Sequence, residues 1–258
     1  MLLKDKFKNR DLAFGAWVSF SHPSITEIFS SRSFDFLAID MEHTTISLEQ
    51  AQRIIAASQS NQVPCLPRPV SHLNDWIKPL LDSGADGIIS PLIEDENQAT
   101  ELIQLIKYPP LGRRSFGVNR AHDYGSKFSE YVETWNSKSI FMAQIESKMA
   151  VKNIEKILSV ADLDAVMIGP YDLSGSLGVP GNTQHPLVLE AEKSVIAACV
   201  KARVSCGTQI ANFNEENLNK ALEKGYNFII ASSDLFVLNS WADSANNLIR
   251  NYYEKLSK

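Results

Sequence analysis

Eight short apolar runs recur along the chain, each closed by a polar turn and followed by a stretch with helical spacing. They cover residues 14–20, 34–40, 63–68, 87–91, 140–146, 164–169, 205–210 and 227–231. Continuously apolar runs of this length, rich in β-branched residues, read as strands buried on both faces of a parallel sheet. Between them Ser47 stands as an N-cap before Leu48, Ala51, Ile54 and Ile55, and Ala99, Leu102, Ile103 and Ile106 repeat the spacing. Val151, Ile154, Ile157 and Leu158 mark a further helix, as do Val195, Ile196, Cys199 and Val200. Eight such units in 258 residues predict an α/β chain folded as one (β/α)8 TIM barrel, a single domain over 1–258. A doubly wound sheet would also alternate, but no glycine-rich phosphate loop follows the first strand. The turns 83–87 and 223–227 look alike, each placing Gly84 or Gly225 just past a helix. Two segments break the rhythm and read as loops, 108–139 and 169–186.

Composition narrows the function classes. With 44% hydrophobic and 21% charged residues the chain is an ordinary globular sequence. A net charge of −5 offers no basic stripe for nucleic acid. No apolar run approaches the roughly 18 residues of a membrane span, and the N-terminus turns charged at Lys4, Asp5 and Lys6 without a signal-type apolar region. Cys65, Cys199 and Cys206 form no metal-type pair and are expected as reduced thiols in a cytoplasmic protein.

In a barrel, chemistry sits where the strands end. The second run ends Asp40-Met41-Glu42-His43, the third Pro67-Arg68-Pro69, the fifth Gln144-Ile145-Glu146-Ser147-Lys148 and the sixth Gly169-Pro170-Tyr171-Asp172. Glu146 and Asp172 are one β–α–β unit apart, which puts them on neighbouring strands. Paired carboxylates repel unless a cation lies between them or one is protonated. A hard divalent metal fits; ion pairing or helix capping is one alternative and an acid pair of the glycosidase type, with one pKa raised, is another. Arg68, stiffened by flanking prolines, can hold a carboxylate, a phosphate or a developing enolate, or else close a rim salt bridge. His43 beside two acids suits a general base, or else is a structural or surface histidine. The turn at Gly169 offers backbone N–H groups to an anion, or else is only a structural turn. His22, His72, His122 and His185 read as loop or surface residues, and Trp17, Trp76, Trp135 and Trp241 as core or interface packing. Arg113 and Arg114 either bind an acidic substrate tail or form a solvated or intersubunit pair. Lys148 reads as the start of the next helix rather than a Schiff-base lysine.

Taken together, these strand ends resemble the HpcH/HpaI aldolases, the metal-dependent class II pyruvate aldolases. Residues 36–43, 67–70, 81–85, 108–114, 144–148 and 168–174 carry the likeness, with Ser176-Leu177-Gly178 and His185-Pro186 continuing it. The resemblance implies reversible aldol cleavage of a 4-hydroxy-2-oxo acid to pyruvate, or a close 2-oxo acid, and an aldehyde. It implies Glu146 and Asp172 as ligands of Mg²⁺, Mn²⁺ or Co²⁺, and Arg68 at the enolate oxygen. It further implies His43 paired with Asp82 as the acid/base dyad, and Gln144 supporting substrate or water. Gly169, Pro170, Tyr171 and Asp172 would receive the substrate carboxylate, with Asp40 and Glu42 as supporting groups. Tyr171 stands where a small residue is usual. Residues 207–211 are less apolar than the family's seventh strand, and 232–234 replace a glycine-rich end of the eighth. A CoA-dependent lyase of the citrate-lyase-β or malyl-CoA type, and a non-catalytic metal- or sugar-acid-binding barrel, are the competing readings. By the same resemblance the chain forms a homo-oligomer, a hexamer built as a trimer of dimers. Its C-terminal helix, expected over 242–258, would dock through Leu248, Ile249, Tyr252, Tyr253 and Leu256 on a partner or on its own barrel. No nucleic-acid or membrane partner is expected.

Overall fold

The computed structural model describes residues 2–256. All eight expected strands form: β1 (Ala13–Val18), β2 (Phe36–Asp40), β3 (Cys65–Arg68), β4 (Gly87–Ser90), β5 (Ile140–Ile145), β6 (Ala165–Ile168), β7 (Ser205–Ile210) and β8 (Phe228–Ser233). Every ladder is parallel, and the strands follow one another in the order β3-β2-β1-β8-β7-β6-β5-β4. β3 and β4 meet at the remaining seam, where the Asp86 N–H donates to the Cys65 carbonyl at 3.0 Å. The result is a nearly closed (β/α)8 barrel wrapped by helices.

Two apolar layers hold it. Inside, Trp17, Phe36, Ala38, Leu66, Met142, Met167, Phe228 and Ile230 fill the barrel. The first helix, α1 (Leu3–Asn9), sends Phe7 against the Phe36 and Phe228 rings, with centroids 6.0 and 5.3 Å away. Outside, Leu37, Ile39, Ile54, Ile88, Ile103, Ile145 and Ile196 pack strands against helices. The look-alike turns have a physical basis at the closed end. Asp35, Asp86, Asp164 and Asn227 each precede an even-numbered strand. Each accepts the first free N–H of the strand before it, from Phe14, Cys65, Phe141 and Cys206, at 2.8–2.9 Å. Burial raises the pKa of Asp86 and Asp164, and the hydrogen bonds they accept oppose it.

The remaining helices are α2 (Pro23–Ser30), α3 (Leu48–Ser60), α4 (Asn74–Asp82), α5 (Glu96–Ile106), α6 (Phe128–Lys138), α7 (Lys148–Lys152), α8 (Ile154–Leu158), α9 (Pro170–Ser176), α10 (Pro186–Ala202), α11 (Glu215–Lys224) and α12 (Asp234–Leu256). Three depart from the sequence reading. The segment expected as a loop over 108–139 contains α6, anchored by the buried Trp135. The loop at 169–186 begins as α9, with Pro170 at its first position. The last helix starts at Asp234, eight residues earlier than expected, and Ser257 and Lys258 lie outside the described residues. α12 does not fold back on its own barrel: Leu248, Ile249, Tyr252, Tyr253 and Leu256 are all exposed. Among the described residues no helix is long and apolar enough to cross a membrane, and all three cysteines are buried free thiols.

His122, expected as a loop or surface residue, lies in the connection between α5 and α6 but not at the surface. It is fully buried, 3.0 Å from the Tyr108 hydroxyl. Arg114 is also buried, stacked against Tyr108, Tyr131 and Trp135, which removes it as a binder of a substrate tail. Arg113 is exposed and pairs with Glu101 at 2.8 Å. Trp17 and Trp135 are buried and Trp76 packs on the core, whereas Trp241 is exposed.

Candidate active site

Strand alternation decides which side chains reach the mouth. Phe36 and Ala38 on β2, Leu66 on β3, Met142 on β5 and Met167 on β6 point into the barrel. Two residues further along each strand the same face carries Asp40, Arg68, Gln144 and Gly169, with Glu146 next after Gln144. Four strands thus deliver their polar ends to one place.

Arg68 is the centre of the cluster. Its guanidinium lies 4.6 Å over the Trp17 ring, pairs with Asp40 at 2.9 Å and Glu42 at 3.2 Å, and donates to Gln144 Oε1 at 3.2 Å. Gln144 passes the contact on by donating to Glu146 Oε2. The other Glu146 oxygen accepts the Leu92 N–H at 2.7 Å. Asp40 also accepts the N–H groups of Glu42 and His43 at 3.1 and 3.2 Å, so it shapes the turn after β2 as well as holding Arg68. His43 stands at the outer edge, its Nε2 3.7 Å from Glu42.

The electrostatics are one-sided. Asp40 and Glu42 pair with one guanidinium, Glu146 lies within its electrostatic reach, and Asp172 adds to the negative field at Glu42 and Glu146. Burial pushes Glu146 up to about 7, reinforced by Glu42 and Asp172 and opposed by the Leu92 N–H and Arg68. Burial likewise raises Glu42, against the pull of Arg68 and His43. A carboxylate this reluctant to ionise is a group that a cation would relieve.

The structure separates one expected pair. Asp82 ends α4, and α4 runs back from the mouth toward the closed end of the barrel, where Ser83 and Gly84 lead into β4. There Asp82 pairs with Arg114 at 2.9 Å. Within one chain it does not meet His43, which stands at the opposite end. The other expected residues fall at the mouth. Gly169, Pro170, Tyr171 and Asp172 form the entry and first turn of α9, where the leading N–H groups have no partner within the helix. The Tyr171 side chain is exposed rather than folded across the barrel. Asp172 accepts no hydrogen bond from the described residues. Trp17 under Arg68 and the Leu92 N–H at Glu146 carried no signal in the sequence that pointed to the site.

The HpcH/HpaI aldolase/citrate lyase family model matches residues 13–240. The chain belongs to this family. It is 31% identical over 246 residues to a 2-keto-3-deoxy-L-rhamnonate aldolase of Salmonella typhi, covering 93% of this chain and 90% of that protein. It is 32% identical over 239 residues to a hydroxypyruvate/pyruvate aldolase of Roseobacter denitrificans, covering 91% of each. An HpcH/HpaI aldolase/citrate lyase family protein from Burkholderia cenocepacia J2315 superposes with a TM-score of 0.90 at 28% identity, covering 96% of this chain and 98% of the other.

As a member of the HpcH/HpaI family the chain is a carbon–carbon lyase of a metal-dependent class. Its mouth fits that membership. Among the described residues no three His, Cys, Asp or Glu side chains close into a ready-made cage. Glu146 and Asp172 would instead supply two hard oxygen ligands and leave the other positions to water and substrate, an arrangement that suits Mg²⁺ or Mn²⁺. The close approach at Gly169 makes this testable. A Cβ there would stand 2.5 Å from Glu146 Oε2 and 3.0 Å from Gln144 Nε2. Gly169→Ala is therefore expected to displace Glu146 and weaken Mn²⁺ binding about tenfold or more. Calorimetric titration measures this directly, and an unchanged affinity would remove Gly169 from the ligand scaffold.

Proposed function

We propose that this chain catalyses the reversible aldol cleavage of a 4-hydroxy-2-oxo acid to pyruvate, or a close 2-oxo acid, and an aldehyde. One observation carries the reading: Arg68, fixed by Trp17, Asp40, Glu42 and Gln144, stands beside the buried Glu146 carboxylate. A preorganised cation next to a hard-metal donor set is what a developing enolate needs.

Glu146 and Asp172 would hold the divalent cation, Mg²⁺, Mn²⁺ or Co²⁺, which when bound acts as a Lewis acid toward the keto oxygen. The residues of the chain do the rest. The first-turn N–H groups around Tyr171 and Asp172, entered through Gly169 and Pro170, receive the substrate carboxylate. His43 takes the proton of the 4-hydroxyl as the C3–C4 bond breaks. The bonding electrons move to C3 and onto the oxygen at C2, where Arg68 stabilises the charge. A proton returned to C3 then gives the 2-oxo acid. Glu42 faces His43 and Asp40 fixes the turn that carries it, while Gln144 keeps Arg68 and Glu146 in register.

The names of the two relatives, a 2-keto-3-deoxy-L-rhamnonate aldolase and a hydroxypyruvate/pyruvate aldolase, support a substrate among the 2-oxo acids. The expected result is metal-dependent release of pyruvate from 2-keto-3-deoxy-L-rhamnonate, or condensation of pyruvate or hydroxypyruvate with short hydroxyaldehydes, followed by NMR. Silence across such a panel, with Mg²⁺, Mn²⁺ and Co²⁺ each supplied, would overturn the reading. The barrel would act as one domain over 1–258 in the cytoplasm. The exposed apolar face of α12 supports a homo-oligomer, with the hexameric trimer of dimers as its form.

A further inference from the structure

The turn that follows β4 is held in an unfavourable conformation. Leu92 has φ +51°, in the left-handed region. A non-glycine residue adopts that region only where its surroundings impose it. Its side chain does not supply the reason, since Leu92 is half exposed. The backbone around it does. The Leu92 N–H donates to Glu146 Oε1 at 2.7 Å, and the Ile93 N–H donates to the Gln144 carbonyl at 3.3 Å. On the other side, His72 Nε2 lies 2.6 Å from the Pro91 carbonyl. A carbonyl can only accept, so the imidazole must present Nε2–H to it.

We infer that His72 is a positioning residue for Glu146: its hydrogen bond to Pro91 holds the left-handed turn that aims the Leu92 N–H at the carboxylate. His72 sits on the connection between β3 and α4, four residues beyond Arg68. The same short connection thus carries the guanidinium into the mouth and braces the loop that sets Glu146. The fixed turn does two things to that carboxylate. It satisfies one oxygen, so the group can stay buried. It also fixes the orientation of the plane, so the free lone pairs face the mouth instead of swinging with the side chain. Groups that hold a metal ligand from behind in this way typically change metal affinity about 10- to 100-fold when removed.

The inference rests on the proposed role of Glu146 as a metal ligand, and the test separates the two. Mn²⁺ binding is measured by titration calorimetry on the metal-free full-length protein, without substrate, for wild type, His72→Leu, His72→Gln and Glu146→Gln. The expected result is near-complete loss for Glu146→Gln, a rise in Kd of about tenfold for His72→Leu, and substantial recovery for His72→Gln, whose amide can donate to the same carbonyl. In steady state the His72→Leu defect should lie in the half-saturating Mn²⁺ concentration, with kcat at saturating metal close to wild type. Loss of binding in Glu146→Gln with an unchanged Kd in His72→Leu overturns the positioning role alone. Unchanged binding in Glu146→Gln overturns the ligand assignment and this inference with it. Equal weakening in His72→Leu and His72→Gln shows a packing role for the ring and overturns the hydrogen-bond account. Circular dichroism and thermal melts of each variant exclude misfolding as the source of any loss.

Discussion

Replacing Arg68 with leucine is expected to lower kcat for aldol cleavage by a factor of about 10² to 10³, the usual loss on removing a preorganised group from a developing oxyanion. The size follows from how little the guanidinium would have to reorganise. Trp17 supports one face, Asp40 and Glu42 fix two edges, and Gln144 links it to Glu146. Arg68→Lys keeps a charge but lacks the planar fork that meets all these partners at once, so it should recover only part of the rate. Removing the cation also leaves Asp40 and Glu42 facing each other in a poorly solvated mouth, so the melting temperature of Arg68→Leu should fall as well. Steady-state kinetics at saturating metal and substrate separates the two effects. A kcat within about threefold of wild type would contradict the assigned role.

The second large effect concerns Glu146 and pH. Its folded pKa is raised from 4.5 to about 7, mainly by burial. The folded, metal-free protein therefore holds this proton more tightly than the unfolded chain does. The stabilisation that results is fully present below pH 4.5 and is lost as pH rises through about 7. A divalent cation needs the ionised form and must displace the proton below that point. Mn²⁺ affinity is thus expected to fall by about tenfold per pH unit below pH 7 and to level off above it. Glu146→Gln should lose Mn²⁺ affinity by about 10² or more, a charged ligand having been replaced by a weak neutral one. Without metal, the same variant should melt at or above the wild-type temperature at pH 8, because it no longer buries a charge. Added Mn²⁺ should raise the melting temperature of wild type and leave the variant unmoved. A metal-free variant that melts well below wild type at pH 8 would show Glu146 to be a structural acid instead.

Much of the architecture was legible because it rests on local pattern. The eight apolar runs form eight strands, since a strand buried on both faces must be apolar throughout. The edges are less legible because distant side chains set them. β1 stops at Val18, where Asp234 captures the N–H groups of Ser19 and Phe20 at 2.9–3.0 Å. Those contacts link residues more than 200 positions apart, and the same Asp234 opens α12 earlier than its amphipathic stretch suggests. α6 is hard to read from the sequence because Trp135 is its one fully buried anchor, while Tyr131 and Val132 beside it are only partly buried and the other positions are mostly polar.

The site divides in the same way. Asp40, Glu42, Arg68, Gln144, Glu146 and Gly169 converge as expected, because strand ends on one barrel face share a mouth. Within one chain Asp82 does not join them. The direction of α4 carries it to the far end, and Arg114, 32 residues away, takes its carboxylate. The resemblance supplied the residue, but the helix direction that decides its place lies beyond any motif. Leu92 escaped for another reason. Left-handed turns are read from Gly, Asn or Asp, and here a leucine is held in one by hydrogen bonds from two neighbouring segments.

Enolate formation that depends on a cation held by Glu146 and Asp172 is tested by exchange of the C3 protons of pyruvate into deuterated water, followed by NMR. Wild type should exchange with Mn²⁺ or Mg²⁺ and fall to the solvent background after chelation, and Asp172→Asn should stay at background with metal present. Exchange that persists in fully chelated wild type, or that survives intact in Asp172→Asn, would contradict the account.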